Sequence, residues 1–302
     1  MPSARFSSVN RDHHLMPYLA TFIGVGLFSL MDALMKSASI AVGAYSALML
    51  RSLIGIAIIG PIWWFGGGKW PAGPVLRIHI RRGFVGAAMA FTFFFALVRL
   101  PLAEAIAISF IAPLLALYLA AILLGEKIER KAIIAAILGL IGVAIIAGSR
   151  IDQTEMSRDA LLGLGAITLS ALLYAYNLVL QREQALVARP REVAAFQNAI
   201  VSLILLVAAP FALVWPDNSR VWIDISGGAV LAVAAVIVLS WAYSRAQAQA
   251  LVPIEYSGLL WAAWFGWLFF AEPVTVPTIA GAGLIVIGCW IATRKRTIQT
   301  AL

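Results

Sequence analysis

Charge is scarce in this chain. Only 12% of its 302 residues are Asp, Glu, Lys or Arg, about half the ~25% of an ordinary globular domain. A water-soluble protein of this length needs more polar surface than that. Cysteine is nearly absent. Cys289 stands alone inside the last apolar run, which excludes an internal disulfide framework and a cysteine-based metal site. No cluster of histidines and carboxylates falls within an apolar run, so no metal or protease site is expected. A phosphate-cradling Gly-Lys-Ser/Thr loop is also missing, so ATP is not expected to drive this protein. These absences leave no cofactor to look for.

What fills the space is apolar. Hydrophobic residues make up 62% of the chain, and the mean hydropathy is +0.95. A helix needs about 17 to 25 apolar residues to cross a hydrocarbon core. Such runs follow one another at 17–36, 43–65, 81–98, 102–124, 132–148, 160–180, 193–214, 227–246, 250–271 and 277–293. The links carry helix breakers: Gly66-Gly67-Gly68, Pro71 and Pro74, Pro190, and Pro216-Asp217-Asn218. Trp63, Trp64, Trp70, Trp215 and Trp222 lie at or near run ends, where indole rings favour the boundary between lipid and water. Arg5 and Arg11 precede the first run, which lacks a cleavage pattern and reads as a retained span. The fold class is therefore all-α integral membrane with ten transmembrane helices, and membrane lipid is its obligatory surroundings.

The net charge of +8 is explained by where the basic residues fall. With the N-terminus inside, sixteen Lys and Arg lie in inner segments and five in outer links. Arg51 alone stands deep in a span. This bias predicts two cytoplasmic termini and makes a nucleic-acid partner unnecessary.

The chain also repeats itself. A shift of 146 residues pairs Arg99 with Arg245, Glu126 with Glu272, Gly142 with Gly288 and Tyr118 with Trp264. An Arg and a Glu at one fixed separation are hard to obtain by chance where charge is so sparse. Five spans per copy is an odd number, so the second copy is expected upside down in the membrane. Inverted halves with a site between them at mid-membrane are a recurring transporter design. The division is a cytoplasmic tail 1–16, a first five-helix repeat 17–150, a second 151–293 and a cytoplasmic tail 294–302.

Two inverted five-span halves, with Gly125-Glu126 closing the fourth span and Ala271-Glu272 the ninth, resemble the drug/metabolite transporter superfamily. Within it the chain is similar to EamA-type bacterial members. The Trp-Gly pair that many members carry in the first span is replaced here by Phe28-Ser29-Leu30-Met31-Asp32. The resemblance implies a transporter of small organic metabolites in the bacterial inner membrane, with amino acids and their derivatives as frequent cargo.

Ionisable groups inside a bilayer cost about 2.5–3.5 kcal/mol on insertion scales and usually face a partner or a wet cavity. Asp32 and Arg51 are expected about 6 and 12 Å below the outer surface at 1.5 Å per residue. They read either as a structural ion pair between the first two spans or as a site for a charged cargo group; Lys36 offers Asp32 a local alternative. Glu255 follows Pro253 near the start of the ninth span. It is a candidate for binding an ammonium group or carrying a proton, against a reading as a boundary residue reaching water or Arg245. Its counterpart in the first copy is Ser109. Phe91, Phe94, Tyr118, Trp241, Tyr243, Tyr256, Trp261 and Trp264 form a candidate aromatic wall suited to an amphipathic ligand or an amine. Glu126 and Glu272 end helices, where a negative charge opposes the macrodipole, so a structural role is favoured over gating. Gly139, Gly142, Gly281, Gly283 and Gly288 suit close helix contact, within one chain or across a homodimer. His79, among Arg77, Arg81 and Arg82, is expected in solvent.

The expected activity is secondary transport of a small-molecule cargo by alternating access, not catalysis. Uptake of a larger metabolite such as S-adenosylmethionine or riboflavin is an alternative on the same fold. An integral-membrane lipid-modifying enzyme is the main rival from another class. It would need a polar catalytic cluster at the cytoplasmic face, where the inner links offer mostly Lys and Arg.

Overall fold

The computed structural model describes residues 15–100, 105, 108–109, 111–125, 130–148, 158–270 and 276–293. All regular structure among them is helical. The helices of eight residues or more are α1 (Met16–Phe65), α2 (Gly73–Leu97), α3 (Ile111–Leu124), α4 (Arg130–Gly148), α5 (Arg158–Val187), α6 (Pro190–Leu206), α7 (Ser219–Tyr243), α8 (Ala248–Glu255), α9 (Gly258–Phe270) and α10 (Val276–Thr293), and a single helical turn, Ala209–Ala212, lies between α6 and α7. Helices suit this composition because lipid offers no hydrogen bonds, so each backbone group must be satisfied within its own segment.

Local chemistry sets the ends. Proline occupies the first turn of α1, α2 and α6, where its missing N–H costs nothing. The Asn218 side chain caps α7 by accepting from the Arg220 amide at 2.9 Å. Gly125 follows α3 with φ of 67°, the left-handed turn that commonly ends a helix.

Among the described residues, four helices are long and apolar enough to cross a membrane: α1, α2, residues 161–187 of α5, and α7. At 1.5 Å per residue, the 50 residues of α1 exceed twice a ~30 Å hydrocarbon core. They cover the first two expected spans. The link expected between them is reduced to one break, where Gly43 leaves helical geometry at φ 79° and ψ 153°. The expected ninth span, 250–271, is divided instead. It is interrupted at Tyr256-Ser257, between α8 and α9, where the Ser257 amide donates to Ile254 and the Leu260 amide to Ser257 in i→i+3 bonds of 2.9 and 3.0 Å.

Small residues govern the contacts. A Cβ on Gly24 would lie 2.7 Å from the Leu239 side chain, joining α1 to α7. One on Gly288 would lie 2.8 Å from the Ala135 carbonyl oxygen, joining α10 to α4. Near the Gly43 break, Ser37 donates to Asp224 at 2.9 Å, and Arg220 pairs with the same carboxylate at 3.3 Å. Large side chains face outward along the helices, among them Ile23, Leu53, Ile134, Leu172, Val207, Phe211 and Trp267, as expected where the surroundings are lipid.

Candidate functional site

A cavity of about 220 Å³ opens between α1, α2, α5, α6 and α7, with Ser109 and the α8–α9 break completing its wall. No described residue of α4 or α10 lines it. Those two helices pack on each other through Gly288 and Ala135.

Four charged residues line this cavity: Asp32, Arg51, Arg82 and Glu255. Arg51 lies with a guanidinium nitrogen 3.5 Å from the Met31 sulfur and its Cζ 5.9 Å from the centre of the Phe94 ring. Its Nε is buried without a hydrogen-bond partner. Among the described residues no ion pair within 4 Å joins it to Asp32. The two groups therefore share the cavity without neutralising each other by direct contact.

Glu255 ends α8 and is 4% exposed. Tyr174 of α5 donates to one carboxylate oxygen at 2.7 Å, and Tyr243 of α7 donates to the other at 2.9 Å. Both tyrosine hydroxyls thus hold the carboxylate, Tyr174 from the cavity wall and Tyr243 from outside the lining, and Arg245 takes no part. The break after Glu255 adds loosened backbone: Ser29 of α1 donates to the Gly258 carbonyl at 3.3 Å. Ser109, one repeat earlier, lines the same cavity.

The aromatic residues divide differently from expectation. Phe94 lines the cavity, together with Phe28, Phe93 and Tyr174. Tyr243 stands behind Glu255. Tyr256 is buried against Gly139 of α4, whose Cβ would lie 2.5 Å from the ring. Trp261 donates to the Phe22 carbonyl at 3.1 Å and stacks on Phe265 at 5.9 Å. Phe91 points outward, and Tyr118 and Trp264 are 64% and 50% exposed. Trp241 lies under the Arg245 guanidinium at 4.1 Å. The aromatic wall is thus mostly a lipid-facing and packing surface, because a ring at mid-span is equally at home in hydrocarbon. Glu126 and Glu272 lie outside the described residues.

Sequence reasoning missed a polar stripe on α5. Ser170, Tyr174, Asn177 and Gln181 line the cavity, and Gln184 continues their face. Their spacing of three and four residues inside an apolar run is the signal that exposes them. Gln197 and Asn198 of α6 line the same cavity. His79 is also corrected. It is 1% exposed, stacked on Phe196 at 4.7 Å, bonded to Glu192 at 3.0 Å and to Gln184 at 2.6 Å. Its helix begins at Gly73, so the position expected in a solvated link is packed among helices.

The two copies share fine structure. Arg99 donates to the Phe95 carbonyl at 3.0 Å, with its guanidinium 3.5 Å from that ring's centre. Arg245 donates to the Trp241 carbonyl at 3.2 Å and covers that ring in the same manner. A family profile matches the chain twice, over residues 15–148 and 161–294, and describes an EamA-like transporter family. The chain belongs to the EamA-like transporter family. The two matches begin and end 146 residues apart, the shift that relates the copies.

Among relatives of this EamA-like transporter, the pseudopaline exporter CntI of Pseudomonas aeruginosa is 28% identical over 93% of this chain and 96% of its own length. An uncharacterised transporter of Helicobacter pylori is 29% identical over 60% of this chain and 61% of its own. A crystal structure 25% identical in sequence superposes with a TM-score of 0.74, covering 92% of this chain and 96% of that one. The family is one of transporters, so the reading as a lipid-modifying enzyme falls away. The chain is a multi-pass membrane transporter.

Proposed function

We propose that this protein is a secondary carrier of small zwitterionic metabolites, amino acids or amino-acid derivatives, in a bacterial inner membrane. One observation carries the reading: a single cavity presents carboxylates and guanidinium groups together, with Glu255 and its repeat counterpart Ser109 both on its wall. A cargo bearing an ammonium and a carboxylate group meets complementary charge there. An apolar drug would leave these groups desolvated and unpaired, at a cost of several kcal/mol. The cavity volume of about 220 Å³ lies below the ~300–1,000 Å³ of pockets that take drug-sized ligands. That favours an amino-acid-sized solute over riboflavin or S-adenosylmethionine. The CntI relative exports pseudopaline, which extends the panel worth testing to that compound.

Transport follows the inverted-repeat design, one five-span half rocking against the other around a fixed central site. The α8–α9 break supplies a discontinuous helix at that site. Reconstituted protein should give saturable counterflow of a labelled solute from a panel of amino acids, pseudopaline, S-adenosylmethionine and riboflavin. Counterflow of an amino acid or derivative supports the reading. Counterflow confined to riboflavin or S-adenosylmethionine moves the cargo to the larger class. No counterflow by folded protein across the panel overturns it.

A further inference from the structure

Arg82 is one of four basic residues at the start of α2 and its preceding link, and the one turned fully inward. Arg81 beside it is exposed and paired with Glu183, whereas Arg82 is 4% exposed and lines the central cavity. Its three described partners are neutral. Nε donates to Asn177 Oδ1 at 3.3 Å, one terminal nitrogen donates to Gln181 Oε1 at 2.8 Å, and the other donates to Gln184 Oε1. A guanidinium carries five N–H donors in a fixed fork, so two remain. The nearby carboxylates are committed elsewhere, Glu183 to Arg81 and Glu192 to His79. No carboxylate among the described residues lies within 4 Å of Arg82. Burying a full charge with amide partners alone is costly unless a counter-charge arrives.

A second observation points the same way. Gln181 Nε2 is buried without a partner, on a side chain 5% exposed that lines the cavity. Its oxygen is turned to Arg82, so its amino group is left as a free donor beside the guanidinium. Two cavity-lining side chains, one charged and one neutral, thus each carry donor hydrogens without an acceptor.

We infer that Arg82 and Gln181 form an anion subsite that takes the carboxylate of the cargo. Resting on the transport reading above, this gives the cargo an orientation. Tyr174, which holds Glu255, and Asn177, which holds Arg82, are three residues apart on α5, about 4.5 Å along its axis. An α-amino acid carries its ammonium and carboxylate groups on one carbon, so the two can engage neighbouring positions on the same cavity wall. Its ammonium group meets Glu255 and its carboxylate meets Arg82, while Asn177, Gln181 and Gln184 fix the guanidinium plane for two-pronged contact.

The test uses full-length protein in lipid nanodiscs and titration calorimetry with two matched pairs, L-phenylalanine with phenethylamine and L-histidine with histamine. Each pair differs by the carboxylate alone. Wild-type protein should bind at least one amino acid about tenfold or more tightly than its amine. In Arg82→Gln that ratio should fall toward one, and in Arg82→Lys to an intermediate value, because a point charge replaces the fork. An unchanged ratio with both affinities lowered equally would assign Arg82 a structural role and overturn the inference. If neither variant folds, wild-type protein still decides: equal affinity for amino acid and amine overturns the subsite. Binding of none of the four overturns the inference together with the choice of amino-acid cargo, while counterflow with the wider panel still judges transport itself. Replacing chloride and phosphate by methanesulfonate should leave the ratio unchanged. A gain of about tenfold in amino-acid affinity would mark an inorganic anion as the natural occupant and overturn the assignment to cargo.

Discussion

Glu255 is the residue on which the proposed chemistry turns. Its two oxygens accept from Tyr174 and Tyr243, so its position is fixed before any cargo arrives. Glu255→Gln keeps an acceptor for one tyrosine and removes the charge. An ammonium-bearing cargo then loses a charge-assisted contact, and transport should fall about tenfold or more. Counterflow at matched protein density checks this; equal rates would remove Glu255 from the cargo path. The Arg99 and Arg245 pair makes a contrasting case. Each guanidinium covers a ring four residues back and donates to that residue's carbonyl, and neither lines the cavity. Partly exposed cation–π pairs are worth about 0.5–1 kcal/mol, so Arg99→Ala and Arg245→Ala should each lower thermal stability slightly. Affinity measured by calorimetry should stay at the wild-type value in both variants. These residues were legible in sequence because rare charges at one fixed spacing stand out. Arg82 was hidden by the same logic: it fitted the basic inner segment so well that nothing marked it as turned inward.

Helices carry the next level of specification, through close approach. Gly26 of α1 faces the Trp261 ring, and a Cβ there would lie 2.7 Å from it. Trp261 is held by its bond to Phe22 and its stack on Phe265, so it has little freedom to yield. Gly26→Ala should therefore destabilise by about 1–3 kcal/mol, the usual cost of overpacking. Gly165 of α5 meets nothing within 4 Å, and Gly165→Ala should be neutral or slightly stabilising. Thermal unfolding in one detergent compares the two directly, and equal shifts would refute the packing account. Apolar periodicity announced that these segments are helices, but not how they divide. Gly43 looks like any glycine in a chain that has 24 of them, and only its φ of 79° shows that it breaks α1. The interruption after Glu255 was half legible, since Pro253 announced a weak point, while the break itself falls at Tyr256-Ser257. The polar stripe of α5 was written in the sequence as well. Its hydroxyls and amides carry no charge, so they stand out less in an apolar run than a lone Arg or Glu does.

The arrangement of the halves rests on the repeat, and the repeat predicts an orientation that can be measured. A 146-residue shift relates both the sequence pairs and the two family matches. Five spans per half would turn the second copy over, and the outcome expected is Arg99 outside, Arg245 inside and both termini in the cytoplasm. The sequence makes the measurement convenient, because Cys289 is its sole cysteine. In a Cys289→Ala background, cysteines placed one at a time report the side on which each position lies. Asn218→Cys, in the link before α7, should react with a membrane-impermeant maleimide in spheroplasts with an intact inner membrane. Ser7→Cys, Lys69→Cys and Thr300→Cys should react only after that membrane is permeabilised. The basic residues argue for this outcome, since sixteen against five is a wide margin for the positive-inside rule. The inverted-repeat form of alternating access depends on it, because two halves that exchange conformations open the cavity to the opposite side when one is inverted relative to the other. Labelling of Ser7 and Thr300 on opposite faces would mean an odd number of crossings, and the inverted pairing of Ser109 with Glu255 would have to be abandoned.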